Sequence, residues 1–163
     1  MDVVDPAQDD LLRLENQVCF AIVTAARNVV ALYRPILEPL GLTHPQYLVM
    51  LALWEQSPRS LGDLASDLAM EPATLSPMIK RLHAQGLVDR ERPHADERVL
   101  AITLTETGEN LRADALGVPA AVMRAVGTDV KGLVALREAL QPFAGRRSDT
   151  PRANPEGHVG GHS

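Results

Sequence analysis

The chain has 163 residues, a formal net charge of −5, and a composition that is 45% hydrophobic but only 3% aromatic. This length is typical of one domain, and the aliphatic composition is sufficient for a core and favours helices. The acidic balance excludes a uniformly basic nucleic-acid coat. Any DNA contact must therefore come from a local patch of Lys and Arg.

Two further features bound the class of protein. No apolar run approaches the roughly 18 uninterrupted residues of a membrane span, and the first five residues are acidic where a signal peptide is basic. We therefore expect a cytoplasmic protein with no membrane partner. The single cysteine, Cys19, excludes an intramolecular disulfide and a multi-cysteine zinc site, and the histidines show no tight ligand spacing. We expect neither a metal nor a cofactor.

The first predicted element covers residues 11–40, where apolar side chains recur at spacings of three and four. The pattern predicts one long helix that bends near Pro35 and ends at Gly41. Apolar residues off the main stripe exceed what one core can cover, and they predict a dimer face. These surplus residues are Phe20, Val23, Val30 and Leu37.

Capping residues predict two helix starts in the middle of the chain. Thr43 is a predicted cap, with Pro45 just inside the helix and Gln46 three residues after the cap. Ser57-Pro58 ends that helix, and Ser60 caps a short helix of about two turns. A longer helix then spans residues 72–85 and ends at Gly86. The pattern therefore predicts two helices joined by a tight turn.

The remainder begins with a change of pattern. Residues 87–92 and 98–104 read as two strands around a polar turn, which predicts a hairpin. A helical stretch then runs from Thr105 to about Gly127 with a kink near Gly117, and Thr128 or Asp129 caps a last helix through residue 140. We expect an acidic arm (1–10), one domain (11–144) and a disordered tail (145–163). Within that domain, residues 11–40 and 105–144 are the predicted dimerisation helices. Residues 43–104, between them, contain the shorter helices and the hairpin.

This order of elements is that of a winged helix-turn-helix, in which the second helix enters the major groove. The predicted fold class is mainly α (α+β), with long N- and C-terminal dimerisation helices. An isolated run of cations is usually a solvated surface, but its combination with the hairpin indicates a DNA contact. For Pro77, contact with thymine methyl groups and a purely structural role both remain open. The predicted DNA-contacting residues are Thr74, Ser76, Pro77, Lys80, Arg81, Arg90 and Arg98.

Several segments together resemble the MarR family of regulators, and specifically its organic-hydroperoxide-sensing OhrR branch. They are residues 14–20 (Leu-Glu-Asn-Gln-Val-Cys-Phe), 33–35 (Tyr-Arg-Pro), 42–48 (Leu-Thr-His-Pro-Gln-Tyr-Leu), 54–55 (Trp-Glu), 74–82 (Thr-Leu-Ser-Pro-Met-Ile-Lys-Arg-Leu) and 96–98 (Asp-Glu-Arg). The resemblance implies a homodimer that represses from a pseudo-palindromic operator in double-stranded DNA. It also implies that Arg98 reaches a minor groove from the wing and that Asp96 holds it.

The resemblance gives Cys19 a redox role. Organic hydroperoxides oxidise the matching cysteine of the branch, and tyrosine hydroxyls of the partner subunit donate to its sulfur. Tyr33 matches one of these tyrosines, whereas His44 and Val23 replace aromatic residues. A thiolate must be favoured for attack on a peroxide, but a helix start at residue 11 would leave Cys19 about two turns inside, with modest help from the dipole. The predicted redox-sensing residues are Cys19, Tyr33, His44 and Tyr47.

The fate of oxidised Cys19 and the inducer itself remain open at this point. Without a second cysteine, the oxidised sulfur would form a mixed disulfide with a low-molecular-weight thiol or be over-oxidised. Alternatively, Cys19 is a small buried hydrophobe. The repressor is then released by an aromatic or phenolic ligand against an aliphatic lining that includes Val23, Leu48, Val49 and Leu53. A thiol peroxidase using Cys19 and His44 lacks an acid to orient the histidine, so we predict that the protein is not an enzyme.

Overall fold

The computed structural model describes residue 10, residues 12–91 and residues 100–144. The predicted tail (145–163), most of the acidic arm, and the wing-turn residues Asp96 and Arg98 lie outside them. The helices and strands, in chain order, are α1 (Val18–Leu37), α2 (His44–Glu55), β1 (Arg59–Ser60), α3 (Leu61–Asp67), α4 (Pro72–Ala84), β2 (Val88–Glu91), β3 (Ala101–Leu104), α5 (Glu106–Ala115), α6 (Val118–Val126) and α7 (Val130–Leu140).

The first helix begins later than its apolar stripe indicates. A 3-10 turn spans Leu14–Asn16, Gln17 is extended with φ −82° and ψ 108°, and α1 starts at Val18. The prediction of a helix from residue 11 was therefore wrong at its start, because a 3-10 turn keeps a spacing close to the helical one and leaves the stripe unbroken. Pro35 lies in the last turn of α1, and a second 3-10 turn, Glu38–Leu40, leads to Gly41 at φ 67°.

The predicted helix caps are confirmed. Thr43 and Gln46 form a reciprocal capping box at the start of α2, with Thr43 N donating to Gln46 Oε1 at 2.9 Å. The side chains of Ser60, Thr105 and Asp129 accept from the backbone N–H three residues on, at 2.8–3.0 Å. Such caps each contribute about 1 kcal/mol and fix where a helix begins.

The wing is a three-stranded antiparallel sheet in the order β1-β3-β2. The predicted hairpin is its β2-β3 part, in which Val88 pairs with Leu104 and Glu91 with Ala101. Strand β1 was not predicted, because two residues are too few to show an alternating pattern. The helical stretch after Thr105 is divided at Leu116 and Gly117 into α5 and α6 rather than being one kinked helix.

One core joins the winged part to the helices around it. Its fully buried side chains come from α1, α2, α3, α4, β2 and β3, and the largest are Leu37, Met50, Leu53, Leu64, Leu75, Ile79, Leu82 and Ile102. Leu37 was expected on the dimer face, but it is 0% exposed in the core of its own chain. It lies past Pro35, where α1 has reached the winged part.

The rest of α1 keeps a large apolar surface uncovered. Phe20, Val23 and Val30 are 45–48% exposed although α1 packs against α6, and α7 also leaves Val130, Val134 and Leu136 exposed. By length and composition alone, the segment Val18–Leu40 would also suffice to cross a membrane. An exposed apolar strip of this size on a helix requires a cover.

Candidate DNA interface and thiol site

Helix α4 separates a core face from a polar face. Leu75, Ile79 and Leu82 are buried at spacings of four and three. On the opposite side Thr74, Pro77, Lys80 and Arg81 are exposed, and Ser76 is half-buried. Hydroxyls and cations on one exposed helix face can bond base edges and phosphates in a major groove. The structure thus brings the five predicted α4 residues onto the accessible side of one helix.

Pro77 is the sixth residue of α4, and the helix continues past it to Ala84. Its missing N–H leaves the Ala73 carbonyl, in the first turn, without a helical donor. The ring itself is exposed on the polar face. Its contact with thymine methyl groups stays a prediction, as does a purely structural role.

The C-terminal end of α4 is held by a left-handed turn. Gly86 has φ 73°, and Leu87 N donates to Leu82 O at 3.0 Å, which closes the helix in the manner of a Schellman motif. Thr105 Oγ1 then donates to Gly86 O at 2.6 Å, and the same oxygen caps α5 by accepting from Gly108 N at 3.0 Å. The end of the candidate recognition helix is therefore fixed to the start of α5.

An ion pair that the sequence did not reveal joins the wing to α3. Arg59 in β1 is 8% exposed, and its guanidinium is paired with the Asp67 carboxylate at the end of α3. The register places Ile102 of β3 opposite both Arg59 and Arg90, so the three side chains lie on the same sheet face. Nothing in the pattern around Arg59 distinguishes it from an exposed turn residue.

Arg90, a predicted DNA contact, lies on this inner sheet face and is only half-exposed. Its Nε is buried and has no hydrogen-bond partner among the described residues. The described part of the wing thus holds the arginine stem against the sheet. The DNA role of Arg90 stays a prediction, as do those of Asp96 and Arg98, which lie outside the described residues.

Three of the four predicted redox residues form an aromatic cluster. The Tyr33 ring centroid lies 4.7 Å from that of His44 and 6.0 Å from that of Tyr47, and the Tyr47 ring is 6.4 Å from Trp54. Tyr33 and His44 are half-buried, so both are partly accessible from outside the chain. Tyr47 is only 4% exposed and packs beneath the Tyr33 ring. Burial raises the pKa of Tyr33 and of Tyr47, and it lowers the pKa of His44. A neutral His44 side chain is favoured, with one ring nitrogen as donor and the other as acceptor.

Cys19, the fourth predicted redox-sensing residue, does not lie in the aromatic cluster of its own chain. It is the second residue of α1 and is exposed, so its placement about two turns inside a helix was wrong. At that position the unpaired N–H groups of the first turn favour negative charge. Tyr33 lies fourteen residues further along the same helix, a separation of about 21 Å. Only a second chain can bring Tyr33 to Cys19.

The aliphatic lining expected for a ligand site is mostly closed. Val49 and Leu53 are 0% and 1% exposed in the core, and Leu48 is half-buried. Val23 lies on the exposed face of α1, away from that core. A ligand could therefore reach Val49 and Leu53 of this chain only if the core around them moved.

Comparison with known proteins gives consistent matches. Residues 31–115 match the family described as transcriptional regulator SarA/Rot. The chain is 38% identical over 127 residues to the organic hydroperoxide resistance transcriptional regulator of Bacillus subtilis (strain 168), and the match covers 76% of this chain and 86% of that relative. That relative is a transcriptional regulator.

Two solved structures have the same fold. Overoxidized AbfR bound to DNA, from a protein of Staphylococcus epidermidis, has a TM-score of 0.67 and 34% identity, with 83% of this chain and 96% of that chain covered. CouR from Rhodococcus jostii RHA1, bound to p-coumaroyl-CoA, has a TM-score of 0.70 and 26% identity, with 81% and 94% covered. The winged helix-turn-helix fold is thereby confirmed.

Proposed function

We propose that this chain, which belongs to the MarR family of DNA-binding transcriptional regulators and to its OhrR branch, is a cytoplasmic homodimeric repressor that leaves its operator when Cys19 is oxidised by an organic hydroperoxide. The observation that carries the proposal is the position of Cys19. It is exposed in the first turn of α1, and the residues that would tune it are held together at the far end of the same helix.

The DNA-binding surface of the proposal is the polar face of α4 together with the wing. The net charge of −5 requires that cations be concentrated locally, and Lys80 and Arg81 provide this on an exposed face. AbfR, which shares the fold, has been solved on DNA. Two winged parts in a two-fold dimer would read the two halves of a pseudo-palindromic operator. Asp96 and Arg98 are proposed to complete the contact in the minor groove.

The homodimer accounts for the uncovered apolar surface. A two-fold interface buries the same surface of both subunits. The apolar strip on α1 and the exposed residues of α7 would therefore be covered by the same elements of the partner subunit. We therefore assign residues 11–40 and 105–144 to dimerisation and residues 43–104 to the winged part. The same symmetry would place Cys19 of each chain near Tyr33 of the partner subunit, twice per dimer. Tyr33 and His44 are the reachable members of the aromatic cluster.

The proposed reaction oxidises sulfur and reduces the peroxide. The Cys19 thiolate attacks the terminal oxygen of the hydroperoxide, a new S–O bond forms, and the O–O bond breaks. The alkoxide that leaves takes a proton and departs as the alcohol, with sulfenic acid left on Cys19. A neutral phenol at Tyr33, favoured by its raised pKa, can donate a hydrogen bond to the thiolate before the reaction.

We assign release to the next step rather than to over-oxidation. The sulfenic acid condenses with a low-molecular-weight thiol to form a mixed disulfide, and water is lost. AbfR has been solved overoxidized and bound to DNA, which argues that added oxygen atoms alone do not displace such a fold from DNA. A mixed disulfide adds a whole thiol compound beside the Tyr33–His44 cluster. The added volume breaks contacts between the two subunits and changes the position of the winged parts.

The test is a titration of fluorescent promoter DNA from the protein's own gene, with and without cumene hydroperoxide and cysteine, for the wild type and Cys19→Ser. We expect the treated wild type to lose operator affinity and Cys19→Ser to keep it. Equal affinity of treated and untreated wild type would refute the redox mechanism. Mass spectrometry should locate one cysteine adduct, at Cys19.

A second candidate is release by a small aromatic or phenolic ligand, with Cys19 in a structural role. The likeness to CouR, which was solved with p-coumaroyl-CoA, favours it. The closed packing around Val49 and Leu53 argues against it. The same variant distinguishes the two, because a ligand-released repressor responds equally well as Cys19→Ser.

A further inference from the structure

Gln85, the residue after α4, joins the candidate recognition helix to the corner between α1 and α2. Its Nε2 donates to the Gly41 carbonyl at 3.0 Å, and its Oε1 accepts from Gln46 Nε2 at 3.5 Å. Gly41 ends the turn after α1, and Gln46 is in the first turn of α2. One side chain therefore contacts both sides of the corner.

Gln46 is well fixed on the corner side. It is 5% exposed, and its Oε1 accepts from both Thr43 N at 2.9 Å and Thr43 Oγ1 at 3.1 Å. A polar amide in this position is buried only because these bonds satisfy it. The next residue after Thr43 is His44, whose ring contacts Tyr33. The hydrogen-bonded corner and the aromatic cluster are thus joined directly through the Thr43–His44 peptide bond.

We infer that Gln85 is a positioning residue that transmits the state of the thiol site to the recognition helix. The inference rests on the proposed function, because it takes the partner's oxidised Cys19 as the event that moves the Tyr33–His44 cluster. Movement of His44 carries Thr43 and Gln46 with it, and Gln85 then draws the C-terminal end of α4. The Gln46–Gln85 bond, at 3.5 Å, is at the outer limit of hydrogen-bond length, so its strength changes with a shift of the corner by a few tenths of an ångström.

The hydrogen bonds of Gln85 to Gly41 and Gln46 are not needed to hold the end of α4 in place. The end of α4 is already held on its other side by the Gly86 turn and by Thr105 Oγ1. Gln85 itself is exposed, and its side chain contributes little to the core. The bonds that Gln85 adds are the ones that lead to the α1–α2 corner. Removal of its amide should therefore change communication more than folding.

The experiment measures operator affinity before and after treatment with cumene hydroperoxide and cysteine, for wild type, Gln85→Ala, Gln85→Glu and Gln56→Ala. Gln56 is an exposed glutamine at the end of α2 and serves as the matched control. For Gln85→Ala we expect reduced-state affinity within about threefold of wild type. The loss of affinity on oxidation should shrink by a factor of about 2 to 30, the range of measured coupling effects.

Gln85→Glu keeps an acceptor for Gln46 but cannot donate to Gly41, so a response like that of Gln85→Ala would identify the Gly41 bond as the carrier. A response like that of wild type would identify the Gln46 bond and equally support transmission through Gln85. The inference is overturned if Gln85→Ala responds to oxidation as fully as Gln56→Ala. It is also overturned if both states of Gln85→Ala weaken by one common factor, which is the behaviour of a simple brace. An unresponsive wild type would instead refute the proposed function, and the inference with it.

Discussion

Replacement of Gly108 by alanine should loosen the joint between the winged part and the helices that follow it. Gly108 is buried in the first turn of α5, where Trp54 Nε1 donates to its carbonyl at 2.8 Å. An added Cβ would overlap the Leu87 carbonyl oxygen and would lie 3.1 Å from the Leu87 carbonyl carbon and 3.2 Å from Leu104 Cδ2. Backbone atoms cannot yield as a flexible side chain does, so α5 must move.

The magnitude follows from two effects. Overpacking in a core typically costs about 1–3 kcal/mol, and loss of the Trp54 hydrogen bond adds about 1 kcal/mol. We therefore expect Gly108→Ala to lower the free energy of unfolding by about 2–4 kcal/mol, a large part of the roughly 5–15 kcal/mol that stabilises a native protein.

The assay is urea denaturation at one fixed protomer concentration, because the stability of a dimer depends on concentration. Gly117→Ala is the control. Gly117 has φ −77° and ψ −17°, and its added Cβ meets nothing within 4 Å. It should be neutral or stabilise by up to about 1 kcal/mol. A Gly108→Ala midpoint equal to that of Gly117→Ala would refute the argument from close packing.

Three other predictions concern DNA, dimer and pH. Lys80→Ala should weaken operator binding and reduce the slope of log affinity against log salt concentration by about 1. The control variant Lys131→Ala, on α7, should leave both the affinity and the slope unchanged. An unchanged slope for Lys80→Ala would show that Lys80 does not contact DNA. Phe20→Asp should raise the dimer dissociation constant about 10²- to 10⁴-fold, because each buried Phe contributes about 1.5–3 kcal/mol and occurs twice in a two-fold interface. The dissociation constant is measured by analytical ultracentrifugation. A value equal to that of the wild type would contradict the assignment of this face to the dimer. Because burial lowers the pKa of His44 below its ordinary 6.5, the unfolded chain binds more protons as pH falls below 6.5, and stability declines there. His44→Gln should flatten that decline in denaturation curves. Equal slopes in the wild type and His44→Gln would refute the burial argument.

Local chemistry made most of the fold predictable. Thr43, Ser60 and Thr105 mark helix starts because the bond from each side chain spans only three residues, and the sequence contains both partners. The order of elements then indicated the winged helix-turn-helix. The cluster of cations and hydroxyls on α4 was predictable for the same reason, since helical spacing alone puts Leu75 and Lys80 on opposite faces.

Features that depend on distant partners were not predictable. Leu37 is buried by residues from other elements rather than by its own stripe. Arg59 shows its role only beside Asp67. Likewise, no spacing in the sequence reveals that Tyr33 and His44 meet, because their contact depends on how the chain turns at Gly41.

The most direct test of the central claim follows operator release and Cys19 chemistry in one sample. The operator-bound dimer is titrated with substoichiometric cumene hydroperoxide in the presence of cysteine, and each step is measured by fluorescence anisotropy and intact mass. We predict that the released fraction rises in proportion to the fraction of chains with a cysteine adduct at Cys19, and that dithiothreitol reverses both. Release without modification of Cys19, or complete modification without release, would contradict the account.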